Sequence, residues 1–370
     1  MQPVQPRRHY FALDFVRFLA AMTVMVSHYW AFNAFSIHGP AAQELTDHLP
    51  LRHLLKPIYE SGITAVALFW MISGFVFACT YENQRPSASD FFIARFSRLY
   101  PLHFVTLLSV ALIQIFALKA FGPSQMFGNN DIYHFILNLF FISAWGFQKG
   151  LSFNGPIWSV SVEIAIYIVF YLTIPLLQRS LVLAPIVLGA IFLGLMKLDL
   201  PGAFWACGYF FYIGVLVFTA LNYLGQRAVA VSLGMLAIYI AAKLSLPDLP
   251  TLPLLSLAFA AVILLASGLD GMPRMTSAFR KISWLGDSTY GIYLCHMPFI
   301  WTASCVFNLT QLNRAKIVAS PWFLLLYVVA VLGLGRLAFV YLELPAKRAI
   351  RNWYARRSAA KIGVAASAQS

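Results

Sequence analysis

Charge is what this chain most lacks. Only 11% of its 370 residues are Asp, Glu, Lys or Arg, while 60% are hydrophobic and 16% aromatic; a soluble globular chain carries about a quarter charged residues. That shortage excludes a water-soluble fold and points to an integral membrane protein. Cysteine is scarce too. Cys79, Cys207, Cys295 and Cys305 all lie in apolar runs with no C-x-x-C pair and no metal-ligand spacing, so they read as core filler, with no metal site. No internal repeat is present, and the one biased tract is the terminal AASAQS, read as disordered. No small-residue cleavage site follows the first apolar run, which is expected to stay as a signal anchor.

What the chain has in quantity is apolar runs of about 20 residues, enough to cross roughly 30 Å of hydrocarbon. They predict spans at 11–32, 62–81, 99–119, 157–177, 181–197, 203–221, 228–244, 251–268, 284–305 and 319–341. The expected fold is therefore all-α, a polytopic membrane bundle of about ten transmembrane helices. The stretch 132–147 (IYHFILNLFFISAWGF) is shorter, follows GNND, and is read as re-entrant or interfacial. The net charge of +13 does not point to nucleic acid, because the basic residues sit in short loops and the tail and build no folded basic domain. They fit an orientation signal instead. If 132–147 does not cross, one side receives Arg7, Arg8, Arg85, Arg95, Arg98, Arg179, Arg227, Arg274, Arg280, Lys281 and the tail from Lys347, about twice the load of the other, so both termini are cytoplasmic. A crossing there would put KRAIRNWYARRSAAK outside. Residues 1–345 form the membrane domain on this reading, and 346–370 a basic cytoplasmic tail, partly disordered.

Several spans nevertheless hold groups that hydrocarbon rejects. An ionisable side chain at mid-helix costs about 2.5–3.5 kcal/mol on insertion scales, so it needs a partner or a wet cavity. In the first span Asp14 and Arg17 are three apart and can pair. Arg17 and His28 are eleven apart, which returns His28 over Arg17 about 16 Å further along. Together they draw a polar stripe. The fourth span opens GPIWSVSVE, with Trp158, Ser159, Ser161 and Glu163; entering from outside, it is expected to bring Glu163 to the depth of His28, either to orient the imidazole or as a polar clamp without chemistry. Ser73 and Gly74 in FWMISGFVF allow close approach of a ligand or, equally, of a neighbouring helix. Arg95 and Arg98, one turn apart in ARFSRLYP, make a fork for phosphate or carboxylate, or a membrane anchor. In the ninth span Tyr293 and His296 lie a turn apart, and His296 is read as supporting. Arg336 and Glu343 are read as stabilising the fold.

Taken in order, these segments resemble membrane acyltransferase family 3. The resemblance rests on Arg17-x10-His28, Leu13-Asp14-x-x-Arg17, Ser73-Gly-Phe75, Arg95-x-x-Arg98 with Pro101, Trp158-Ser-x-Ser161-x-Glu163, and the late YGIYLCH and E-x-P elements, and it covers almost the whole chain. It implies transfer of an acyl group, acetyl by default, from cytoplasmic acyl-CoA to a hydroxyl of an extracytoplasmic carbohydrate such as O-antigen or exopolysaccharide. The acceptor can be lipid-linked, the location a bacterial inner membrane, and the protein can work with polysaccharide-assembly partners. The resemblance assigns His28 as catalytic histidine with Glu163 beside it, and the acyl-CoA path to Arg17, Arg95 and Arg98, supported by Asp14, Ser73, Trp158, Ser161, Tyr293 and His296. No permanently bound cofactor is implied. Two departures stand out: Ile164 occupies a position usually acidic or glutamine, and no SGNH hydrolase-like domain follows, as in the standalone form. The alternative is a transporter or flippase that makes no bond, though related halves and broken midplane helices are not apparent.

Overall fold

The computed structural model describes residues 9–34, 48–122, 127–198, 202–246 and 248–367. Arg7 and Arg8 of the orientation argument lie outside them. Every regular element among the described residues is helical. The labelled helices are α1 (Phe11–Ser27), α2 (Arg52–Tyr59), α3 (Gly62–Tyr81), α4 (Ala88–Phe121), α5 (Ile132–Leu139), α6 (Ile157–Arg179), α7 (Leu183–Leu195), α8 (Gly202–Leu224), α9 (Ala228–Ser245), α10 (Thr251–Leu269), α11 (Pro273–Lys281), α12 (Ser283–Asp287), α13 (Thr289–Thr310), α14 (Pro321–Ala338) and α15 (Leu344–Ser367).

Among the described residues eight stretches are long and apolar enough to span a membrane. One of them, Gly202–Ser245, contains both α8 and α9, joined at Gly225–Arg227 where Gly225 takes φ 50° and breaks the path. The apolar α7 has 13 residues. Each of the ten expected spans thus has its helix. The third departs most in length: it begins at Ala88, where the Ser87 hydroxyl caps the helix by accepting from the Asp90 amide at 3.1 Å. This carries Arg95 and Arg98 inside a 34-residue helix instead of at its threshold.

The stretch 132–147 is not one continuous helix. Its helix ends after Leu139, Phe141 takes a left-handed φ of 58°, and Gly146 stands at φ 99°. These breaks leave backbone groups that hydrocarbon cannot satisfy. The bundle satisfies them through Ser161, which donates to the Phe141 carbonyl at 2.6 Å and accepts from the Ala144 amide at 3.1 Å, while the Trp145 indole donates to the Ser161 carbonyl at 2.8 Å. Further along the same segment, Asn154 donates to Leu294 O (3.0 Å) and the Tyr293 hydroxyl reaches Pro156 O (3.1 Å). Leu294 is only five residues into α13, about 7–8 Å from its start. Helix α6 therefore begins deep in the bundle, at the tip of the re-entrant segment.

Large apolar side chains left exposed, such as Leu112, Leu172, Leu325, Leu326 and Val329, belong to the lipid-facing surface. The core instead gathers aromatic rings around α3, α6 and α8, where Phe77 stacks on Tyr167 and meets Phe170 and Phe211 edge-on. Glycines set the closest helix contacts. A Cβ on Gly74 of α3 would lie 1.8 Å from the Phe211 carbonyl oxygen of α8, and one on Gly214 of α8 would lie 1.9 Å from Met71 O of α3. Gly291 and Gly335 bring α13 and α14 together in the same way.

Candidate active site

Helix α1 packs among α3, α10, α11, α12 and α13, so its polar stripe faces protein on several sides. At its N-terminal end the backbone amide of Ala12 donates to Asp270 Oδ2 at 2.8 Å, which occupies one of the otherwise unpaired N–H groups of the helix start. Asp14 lies against Gly286, where any Cβ would collide with it. Its carboxylate accepts from Arg17 at 3.2 Å and contacts His9 Nε2 at 2.7 Å. The expected Asp14–Arg17 pair is thus formed, with His9 as a third member that no motif announced.

Arg17 opens on a cavity of about 110 Å³, which Ser73, Phe77, Arg95, Arg98, Glu163, Tyr167, Tyr290 and Tyr293 also line. Ser73 and Tyr167 both donate to Glu163 Oε1, Tyr167 at 2.7 Å. The Arg95 guanidinium stacks on the Phe77 ring at 4.6 Å, reaches the Tyr81 hydroxyl at 3.4 Å, and leaves a buried Nε unpartnered. Arg98 has no hydrogen bond or ion pair with any described residue. Three guanidiniums, one carboxylate and three phenols enclosed by apolar walls make a site suited to an anion attached to an organic chain.

His28 lies outside this cavity. It caps α1, with Nδ1 2.8 Å from the carbonyl oxygen of Val24. A carbonyl can only accept, so Nδ1 carries the proton and Nε2 keeps its lone pair. The ring faces inward against His296, with centroids 5.0 Å apart; His296 is fully buried, its Nε2 has no partner, and its ring meets Tyr293 at 6.1 Å. A sequence of rings, Tyr293 then His296 then His28, leads from the cavity to the C-terminal end of α1.

The expected pairing of Glu163 with His28 is not formed. Glu163 is held by Ser73 and Tyr167 and interacts with Arg17 and Arg98, one helical stripe below His28. The cause is the starting depth of α6: a helix assumed to begin at the outer surface begins instead beside Tyr293, so its seventh residue lands near the level of Arg17. The motif serines divide similarly. Ser161 fastens the re-entrant segment, while Ser159 shares a 2.6 Å hydrogen bond with Tyr293. Trp158 packs edge-on against Trp70 at 5.9 Å. Tyr167, missed in the sequence, was recognisable in principle as the residue four after Glu163, one turn on along the same helix face.

A family model described as an acyltransferase domain matches residues 10–339. The chain belongs to membrane acyltransferase family 3. It is 24% identical to Nodulation protein 10 of Rhizobium leguminosarum bv. viciae over 93% of this chain and 95% of that one. It is 33% identical to Acyltransferase MdmB of Streptomyces mycarofaciens over 151 residues, 40% of this chain and 36% of MdmB. It is 24% identical to the Peptidoglycan O-acetyltransferase OatA of Listeria monocytogenes over 80% of this chain and 53% of OatA. The matched region thus spans about a third of MdmB and about half of OatA. No solved structure matches the chain. The protein is a multi-pass membrane acyltransferase of this family.

Proposed function

We propose that the protein transfers an acyl group, acetyl in the simplest case, from cytoplasmic acyl-CoA to a hydroxyl of an extracytoplasmic carbohydrate, with His28 as general base. The observation that carries this reading is the His28 Nδ1 bond to Val24 O, which leaves a basic Nε2 on the inward face of the ring. A sugar hydroxyl is a weak nucleophile. As its oxygen attacks the thioester carbonyl, Nε2 takes its proton; the C–S bond then breaks and the departing thiolate of CoA receives that proton from the imidazolium. General base assistance of this kind contributes about 10²- to 10⁴-fold. Direct transfer needs no acyl-enzyme, and Ser73, whose hydroxyl donates to the Glu163 carboxylate, has no hydrogen bond to His28.

Arg95, Arg98 and Arg17 hold the donor's anionic end, and its pantetheine arm runs past Tyr293 toward His28. Glu163 works in the cavity in this scheme. It balances Arg17 and Arg98 and fixes Ser73 and Tyr167. The donor path thus opens toward the cytoplasm, and the acceptor meets His28 from the outer side of an inner, plasma membrane. That carbohydrates are acceptors draws on the relative named as a peptidoglycan O-acetyltransferase. A lipid-linked glycan and polysaccharide-assembly partners fit the same arrangement.

The test uses the full chain in liposomes with labelled acetyl-CoA and a crude glycan acceptor. Label should appear on the glycan and vanish with His28→Ala, while exposed Thr310→Ala keeps it. Movement of glycan across the bilayer with no label transferred would instead identify a flippase and end the acyltransfer scheme.

A further inference from the structure

Helix α15 brings further cations to α4, the helix that contributes Arg95 and Arg98 to the cavity. Through a π-helical turn at Phe339–Glu343 it follows α14, and it packs along α4. This sets half-buried Lys347 in electrostatic range of Arg98, Arg351 and Arg95. Lys347 and Arg351 are four apart and share a face, about 6 Å apart along the axis; Arg95 and Arg98, three apart on α4, also share a face, about 4.5 Å apart along the axis. The carboxylates acting on this group are Asp287, which interacts with Lys347, and Glu343, which interacts with Arg98 and Lys347. Neither closes an ion pair with any of the four cations, and Glu343 Oε1 is buried without a hydrogen bond. Arg98, Lys347 and Arg351 have no hydrogen-bond partner among the described residues.

Four positive side chains on two packed helices repel one another at a cost that grows as the local dielectric falls. An anchor for topology needs only that they lie on the cytoplasmic side; it gives no reason to bring them together from two packed helices. We infer that Lys347 and Arg351 complete, with Arg95 and Arg98, a site for the phosphate groups of the CoA nucleotide, its pyrophosphate and 3′-phosphate. The inference rests on the proposed acyl-CoA reading and extends it to α15, the segment whose basic residues otherwise read as an orientation signal. Anionic lipid headgroups offer the same phosphate chemistry, but the coupling of Lys347 to Arg98, which lines the cavity, favours the nucleotide.

The experiment measures equilibrium binding of labelled CoA and of 3′-dephospho-CoA to the full chain in neutral phosphatidylcholine nanodiscs. Losing two charge-assisted contacts in the Lys347→Ala/Arg351→Ala double variant should weaken CoA binding by at least about tenfold. It should also shrink the preference for CoA over the dephospho form and flatten the salt dependence. Lys347→Arg with Arg351→Lys should restore binding, which excludes misfolding as the cause. Arg348→Ala, which removes one positive charge from an exposed neighbour, should bind as wild type. Unchanged binding in the double variant, or equal weakening in Arg348→Ala, overturns the inference. So does displacement of CoA on adding phosphatidylglycerol to the nanodiscs, which would assign the cluster to lipid. Failure of the wild-type chain to bind either nucleotide would overturn the acyl-CoA reading itself, and this inference with it.

Discussion

Gly74→Ala and Gly214→Ala test whether α3 and α8 touch backbone to backbone beside the cavity. An added methyl at Gly74 would sit 1.8 Å from Phe211 O, against the 3.4 Å at which ordinary contact begins, so the two helices would have to part by about 1.6 Å. Gly214 demands nearly the same of Met71 O. The obstacle is backbone in both cases, so no rotamer change relieves it. Overpacking of this kind costs about 1–3 kcal/mol. Ser73 precedes Gly74 and donates to Glu163, so the displacement also loosens the cavity wall. Glycines 234 and 333 are the controls: they too lie within helices, but nothing lies within 4 Å of their missing Cβ. Alanine there should stabilise by about 0.5–1 kcal/mol, since a helical glycine lacks that much relative to alanine. Thermal unfolding of the full chain in detergent, with acetyl transfer measured on the folded fraction, separates the two pairs. If Gly74→Ala and Gly214→Ala melt like the controls and keep full activity, the helices do not meet as described and the account of the cavity wall fails.

Other expectations follow from single contacts. His28→Ala should lower glycan labelling by about 10²- to 10⁴-fold at unchanged melting temperature, and His296→Ala, whose ring lies between those of His28 and Tyr293, by no more than about tenfold; the reverse order in a rate assay would reassign the base. Ser161→Ala strips partners from the Phe141 carbonyl and the Ala144 amide, so a loss of about 1–3 kcal/mol in denaturant unfolding is expected. His9 is held above its ordinary pKa of 6.5 chiefly by its hydrogen bond to Asp14. A raised folded value means that its contribution is complete below about pH 6.5 and disappears as pH rises through the folded pKa. With the His9 side chain 57% exposed, the effect is below about 1 kcal/mol. The wild-type melting temperature should therefore fall slightly relative to His9→Ala between about pH 6 and pH 9, and parallel curves would refute the pairing.

The sequence made the spans legible because hydropathy over about 20 residues reports burial in lipid directly. It also made Asp14–Arg17 legible, because a three-residue separation fixes contact on any helix, whatever surrounds it. Depth was different. Placing Glu163 beside His28 required knowing where α6 begins along the membrane normal, and counting residues measures rise only from an assumed surface. The breaks at Phe141 and Gly146 and the Asn154 and Pro156 contacts to α13 move that origin to mid-bundle, and nothing local to WSVSVE encodes them. Ser161 connects the two problems. It reads as a motif serine that supports the site, yet its hydroxyl is consumed by the backbone of the re-entrant segment. The motif thus carries two functions on one helix: Ser161 fixes how deep the helix starts, and that depth delivers Glu163 to the guanidiniums instead of the imidazole. A substitution that frees the re-entrant segment should consequently disturb the cavity through the register of α6. Donor binding is therefore expected to weaken in Ser161→Ala although Ser161 is not among the residues lining the cavity, and donor affinity equal to wild type in the folded fraction would break that link between depth and chemistry.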